Sequence, residues 1–251
     1  MLVKMTMIWQ QVEKAGEKLT QCLRLHTPIP EVERAVLGEL DALADVKALI
    51  SGCNRRVIGG WNTIQTSGSG RYIVVLNPVD GHVNYLMKSP LFGASVTAFD
   101  SVTGQNLSIV YDGLTDESLR LESGNSPFVV DRRPGETRGV VGFGSVQQVD
   151  FDAIRQTADL SWRSLGSTTL SILEILRSRM HCYFNKTKLW DFFWALGLSQ
   201  IAKVDFRDLR TNQNINNAQL DLVRDPESTI SLFCFRDARI AERVFPTIKK
   251  N

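Results

Sequence analysis

Apolar residues recur every third or fourth position through the first fifty residues, which is the spacing of one face of an α-helix. This spacing predicts two helices. The stretch 27–30 separates them, and Pro30 suits the first turn of the second helix because its ring fixes a helical φ. The two apolar series consist of Ile8, Val12, Ala15, Leu19 and Leu23, and of Val32, Val36, Leu40, Leu43 and Ile50.

The pattern changes to short apolar runs after a glycine-rich segment at 51–70, which is predicted to be a loop. Each run has the length of a strand and is bounded by Gly, Asn, Asp or Pro turn residues. These runs predict a mostly antiparallel sheet, with strands at 72–76, 93–99, 107–111, 118–122 and 139–143.

Helical spacing returns in the second half of the chain. One helix is predicted to begin near Gly166-Ser167, and another to span 190–202 with Asp191 in its first turn, where the helix dipole favours an acid. A last strand at 229–235 precedes a closing helix at 238–249. The order of elements predicts a layered α+β or α/β sandwich. We expect a single unit over 1–251, with an N-terminal α+β half (1–145) and a C-terminal α/β half (146–251).

Composition excludes several classes of protein. The chain has 251 residues, 43% of them apolar and 22% charged, with a net charge of +2, as is usual for a globular protein. The basic residues form no block of the kind that binds nucleic acid. No apolar run approaches the roughly 20 residues that span a bilayer, and the N-terminus lacks a cleavage site. We therefore expect a cytoplasmic protein with no membrane and no nucleic-acid partner.

The four cysteines are widely spaced and form no C-x-x-C pair. They predict reduced, mostly buried thiols rather than a zinc site or a disulfide framework. The cysteines are Cys22, Cys53, Cys182 and Cys234.

The stretch 76–85, LNPVDGHVNY, carries the clearest chemical signal. It follows the apolar run 72–76, so a buried strand would fix its backbone. Asp80 supplies a hard oxygen for a cation, and Gly81 lets main-chain N–H groups approach an anion. The stretch therefore predicts a cation or phosphate site at the end of a strand.

Three blocks of the sequence resemble the inositol monophosphatase family. Residues 77–85 resemble its D-P-I-D-G-T-x-N-F signature, residues 165–170 its G-S-A-A-L segment, and residues 190–197 its W-D-x-A-A-G segment. Shorter likenesses lie at 90–96 and 182–184, so the resemblance covers roughly residues 60–200. It implies the layered αβαβα sandwich of the magnesium-dependent, lithium-sensitive phosphatases, which hydrolyse phosphate monoesters with bound divalent cations. It also implies a homodimer.

The resemblance assigns a reduced set of metal ligands. Asp80 and Asp191 match two of the family's aspartates, and the carbonyl of Val79 matches a backbone ligand. Asn77 stands where the family has a bridging aspartate, and an amide is neutral, so it cannot offset the repulsion between two dications. His82 stands where the family has a threonine.

Further acids of the family pattern are missing. The family's G-E-E loop corresponds to 59–62, and no acid occurs anywhere from Asn54 to Val79. Trp61 in that loop would suit the space of a former metal site. The family's D-x-V-T segment is also missing, because residues 25–30 lead directly into the second helix. Asn185 stands near a substrate-binding glutamate of the family.

Two functional hypotheses remain open. In the first, the chain is a pseudophosphatase that binds a phosphorylated small molecule or a protein partner, with magnesium weakly bound or absent. In the second, it is a magnesium-dependent phosphomonoesterase with a remodelled site, in which Asp80 and His82 are catalytic. In either case the resemblance places phosphate contacts at Gly81, His82, Ser167 and Asn185.

Overall fold

The computed structural model describes residues 2–41, 55–59, 71–123, 139–144, 150, 152, 159–211, 213–215, 229–245 and 248. The chain divides into two compact units, Met1–Asn125 and Ser126–Asn251. Among the helices of the described residues, none is long and apolar enough to cross a membrane. That the two units work as one functional body stays a prediction.

Two helices open the first unit, as the apolar spacing predicts. They are α1 (Leu2–Arg24) and α2 (Ile29–Asp41), with Pro30 in the first turn of α2. Residues of both predicted series, including Val12, Leu19 and Val36, are fully buried. The spacing thus identified the face of each helix that is covered by its neighbours.

A five-stranded sheet follows. Its strands lie in sequence order, with β1 parallel to β2 and every other pair antiparallel. β1 falls within the segment that the sequence predicts to be a loop. The strand was not predicted because its few apolar residues are flanked by glycines. A short helix, α3 (His82–Leu86), follows β2. The strands are β1 (Arg55–Gly59), β2 (Tyr72–Asp80), β3 (Gly93–Asp100), β4 (Asn106–Asp112) and β5 (Glu117–Glu122).

One face of this sheet forms a core with α1 and α2. Alternate strand residues such as Val74, Val96 and Leu107 point into it, as the two-residue repeat of a strand requires. A Cβ added at Gly16 of α1 would lie 2.5 Å from Ile109 Cγ2, so glycine is needed where the helix crosses β4. This packing holds the strand that leads to Asp80.

The second unit contains a six-stranded mixed sheet in the order β10-β9-β11-β8-β6-β7. Phe184, Phe233 and Val244 lie in the core on one face. The strands are β6 (Gly139–Phe143), β7 (Leu160–Arg163), β8 (Cys182–Lys188), β9 (Asp205–Asp208), β10 (Gln213–Asn214) and β11 (Thr229–Phe235). The helices are α4 (Thr168–Leu176), α5 (Leu189–Leu196), α6 (Ser199–Ala202) and α7 (Ala238–Val244).

Two predicted helices have different bounds in the structure. The helix predicted at 190–202 is divided into α5 and α6, because the Leu198 N–H bonds to the Ala195 carbonyl and tightens the last turn of α5. The closing helix ends at Val244 rather than at residue 249. Pro246 follows two residues later and has no N–H with which to continue the helical hydrogen bonds.

A buried ion pair closes the far end of the sheet from Asp80. Arg71 Nε lies 2.7 Å from Asp100 Oδ1, and Asp100 is fully buried. Burial alone would raise the pKa of Asp100, but hydrogen bonds from Arg71 and from the backbone N–H of Val102 outweigh it and lower the pKa to about 2. The carboxylate therefore stabilises the folded chain when it is ionised.

We predict that Asp100→Asn lowers the free energy of unfolding by about 2 kcal/mol at neutral pH, from the size of the pKa shift. Because the folded-state pKa lies below the unfolded one, the contribution is present above about pH 4 and is lost between about pH 4 and pH 2. Urea unfolding across this range measures it. Asp116→Asn, in the exposed pair with Arg24, should cost clearly less; equal losses in both variants would contradict the prediction.

Candidate functional site

A β-bulge places the two polar side chains of the signature on one face of the first sheet. Asn77 pairs with Ser95 and Asp80 pairs with Gly93, so three steps along β2 match two along β3. Without the extra residue, side chains three positions apart would point to opposite faces. Val79, which lies in the bulge, points into the helix-covered core.

Burial decreases from Asn77 to His82. Asn77 is almost fully buried at 2% exposure, Asp80 is half-buried and His82 is exposed. Gly81 has φ of 86° and ψ of 41°, a left-handed conformation that strains other residues. The glycine therefore makes the sharp change of direction from β2 into α3.

Tyr85 anchors α3 to the turn between α1 and α2. Its hydroxyl donates to the Thr27 carbonyl at 2.7 Å, and its ring meets Phe92 edge-on at 4.9 Å. Burial raises the pKa of Tyr85 to about 12, so the phenol remains a donor. The short turn at 25–28, where the D-x-V-T segment is missing, thus has a structural role in holding the signature.

The second unit contains the other predicted site residues. Ser167 is the N-cap of α4, and its Oγ accepts from the Leu170 N–H at 3.1 Å. Asp191 lies in the first turn of α5, as predicted. Its Oδ2 accepts from Thr187 Oγ1 at 2.5 Å and from the Lys188 N–H at 3.2 Å.

Asn185 is held by two constraints. Its Nδ2 donates to Thr168 Oγ1 at 3.1 Å. A Cβ added at Gly144 would lie only 2.1 Å from Asn185 Cγ, so the amide occupies space that only a glycine leaves open. Both constraints limit the rotamers of the amide.

Sequence reasoning missed three residues that bond to these groups or to one another. Thr168 and Thr187 form a hydrogen-bonded chain between Asn185 and Asp191, and Tyr183 bonds to Thr168 beside that chain. The signal was present in the polar residues at alternate positions of β8, which must share one face of that strand. This alternation is difficult to recognise because the lysines at the end of the strand occupy the intervening positions and point to the opposite face.

The structure brings Asn77 and Asp80 together in the first unit, and joins Asn185 to Asp191 through threonines in the second. That the two sets form one site stays a prediction. Trp61 and the rest of the predicted G-E-E counterpart after Gly59 lie outside the described residues.

The signature by itself does not supply the ligands of a magnesium centre of two or more ions. The signature offers one carboxylate, one amide and one main-chain carbonyl, from Asp80, Asn77 and Val79. Magnesium takes hard oxygen ligands, and paired dications need bridging negative charge. In the part of the chain that the structure describes, no group of three His, Cys, Asp or Glu side chains is placed to hold a metal.

Solved structures show which class of protein has this fold. The matches include several inositol monophosphatases, so the chain has the inositol monophosphatase fold and the fold predicted from the sequence is confirmed. Inositol monophosphatase II from Staphylococcus aureus MSSA476 is 15% identical, with a TM-score of 0.68 over 95% of this chain and 91% of that one. The extragenic suppressor protein SuhB from Bartonella henselae is 14% identical, with a TM-score of 0.66 over 97% and 98%.

Some matching structures contain ligands. An IMPase/NADP phosphatase complexed with Mg²⁺ and phosphate is 14% identical, with a TM-score of 0.63 over 85% of this chain and 79% of that one. SaIMPase-II has been solved bound to inositol monophosphate and to 2′AMP. No protein-family model matches the sequence, and no curated protein matches it.

We predict that Gly81→Ala lowers the free energy of unfolding by about 1–2 kcal/mol, because alanine is strained in the left-handed region. Gly38→Ala is the control, since Gly38 lies exposed in α2 with open space around it. That change should raise stability by about 1 kcal/mol through helix propensity. Thermal unfolding measures the stability of both variants. A Gly81→Ala variant with unchanged stability would contradict the left-handed conformation of Gly81.

Proposed function

We propose that this chain is a pseudophosphatase, which binds a phosphorylated small molecule and does not hydrolyse it at a magnesium cluster. One observation carries the proposal: the bulge in β2 places the Asn77 amide on the same face as the Asp80 carboxylate. A neutral, nearly buried side chain thus stands where the resemblance has a bridging acid.

The missing negative charge at position 77 argues against the binding of two divalent cations side by side. Two dications about 4 Å apart repel by about 16 kcal/mol at an effective dielectric constant of 20, four times the value for unit charges. A bridging carboxylate offsets part of this repulsion, and an amide offsets none of the net charge. The missing acids from Asn54 to Val79 remove a further source of compensation.

The geometry of Asp191 supports the same proposal. Two donors, Thr187 Oγ1 and the Lys188 N–H, already bind one of its carboxylate oxygens. This is the arrangement of an acid that satisfies the N-terminus of a helix. Asp191 thus contributes to helix stability without needing a metal.

Ligand binding is proposed from the retained framework. The glycine turn at Gly81 and the capped start of α4 at Ser167 are both present, and main-chain N–H groups at such places bind phosphate. We propose Gly81, His82, Ser167 and Asn185 as the contacts. The inositol monophosphate and 2′AMP bound to SaIMPase-II support a small phosphorylated ligand.

The alternative function is an active magnesium-dependent phosphomonoesterase. The observation that favours it is an exposed His82 two residues from Asp80 at the end of β2. In that case one cation would be held by Asp80 and Asp191, and His82 would move a proton. A homodimer, a protein partner and a cytoplasmic location also remain predictions.

Turnover distinguishes the two functions. Purified chain is incubated with inositol monophosphate and millimolar Mg²⁺, and released phosphate is measured. We expect the same rate from the unmodified chain and from Asp80→Ala, since no metal-dependent reaction is present to lose. Magnesium-dependent release that Asp80→Ala and His82→Ala both abolish would instead establish the phosphomonoesterase.

Restoring the negative charge tests whether its absence explains the proposed lack of a magnesium cluster. We predict that Asn77→Asp combined with Trp61→Glu introduces Mg²⁺ binding that titration calorimetry detects, because the resemblance implies that both new carboxylates lie beside Asp80. Asn106→Asp is the matched control, since Asn106 is equally buried but lies at the far end of β4. Heat of binding in the control, or none in the double variant, would contradict the explanation.

A further inference from the structure

A single hydroxyl group lies at the centre of the polar residues of the second unit. Tyr183, Asn185 and Thr187 occupy alternate positions of β8 and share one face. Thr168, the first residue of α4, meets all three. Its Oγ1 lies 3.1 Å from Tyr183 Oη, 3.1 Å from Asn185 Nδ2 and 3.3 Å from Thr187 Oγ1.

Proton counting gives every bond in this cluster a direction. Thr187 donates its only hydroxyl proton to Asp191 Oδ2, so it accepts from Thr168. Thr168 has then used its own proton, and therefore accepts from Tyr183 and from the Asn185 amide. The Thr168 hydroxyl makes all three of the hydrogen bonds that a hydroxyl can make.

The residues of this cluster fall into two groups by burial: buried hydroxyl residues, and less buried side chains that those hydroxyls orient. Thr168, Tyr183 and Thr187 are 2%, 1% and 4% exposed. Asn185 and Asp191, at the two ends of the chain of bonds, are half-buried. Buried hydroxyls cannot exchange their partners for water without cost, so the buried residues hold the two outer side chains in place.

We propose that Thr168 is a positioning residue, which orients the Asn185 amide directly and the Asp191 carboxylate through Thr187. Asn185 and Asp191 are two of the three second-unit residues, with Ser167, that the resemblance assigns to a ligand or a metal. The proposal rests on the proposed function in one respect, which is the identity of the ligand that those two side chains bind. Their orientation needs no ligand.

The test is nuclear magnetic resonance of the whole chain at neutral pH. Thr168→Val keeps the shape and removes the hydroxyl, whereas Thr168→Ser keeps the hydroxyl. We expect Thr168→Val to shift both the Asn185 side-chain amide signals and the Asp191 ¹³Cγ signal, and Thr168→Ser to leave both close to their original positions. Thr97→Val is the control, because Thr97 is a buried threonine of the first unit that donates to Ser108 at 2.9 Å.

Unchanged Asn185 and Asp191 signals in a folded Thr168→Val variant would overturn the proposal. If that variant does not fold, Thr187→Val tests the second step alone. It should shift the Asp191 signal more than the Asn185 signal, because it removes the donor to the carboxylate. Equal or absent shifts there would also count against the proposal.

Titration with inorganic phosphate separates this proposal from the proposed function. If phosphate binds, Thr168→Val should weaken its affinity roughly fivefold to tenfold, as expected for one misplaced hydrogen bond, and Thr168→Ser should not. If phosphate does not bind the unmodified chain, the proposed function is contradicted, while the resonance shifts still support the positioning role.

Discussion

The bulge in β2 is the constraint on which the signature depends. It inserts one residue between the pairs Asn77–Ser95 and Asp80–Gly93, so that both polar side chains leave the sheet on the side away from α1 and α2. Val79 fills the helix-covered core instead. The left-handed Gly81 and the anchored Tyr85 then set where α3 begins.

The polar residues of the second unit bond mainly to one another. Acids that hold metals need counter-ions, whereas hydroxyl and amide groups can satisfy one another. Thr168, Thr187 and Asn185 do so here, and the chain of bonds ends on the Asp191 carboxylate. In the second unit, the predicted site residues are thus held by polar groups that are bound to each other.

Local pattern predicted the strong elements well. The strand 139–143 and the strand 229–235 have the predicted bounds, because each is a compact apolar run between turn residues. β1, β7, β9 and β10 were not predicted. Each is short, and much of its order comes from pairing with a neighbouring strand, which leaves little trace in its own residues. The break after Leu196 was missed because the bond from the Leu198 N–H to the Ala195 carbonyl leaves no mark in the apolar spacing.

The sequence by itself determined the fold class, the amide at Asn77 and the absence of acids from Asn54 to Val79, since these are properties of residue type and order. Tertiary structure decided what the site residues contact. Only strand pairing showed that a bulge brings Asn77 and Asp80 to one face, because the two-residue repeat alone predicts opposite faces. Only packing showed that Thr168 joins Asn185 to Asp191, because hydrogen bonds between separate elements depend on where those elements meet.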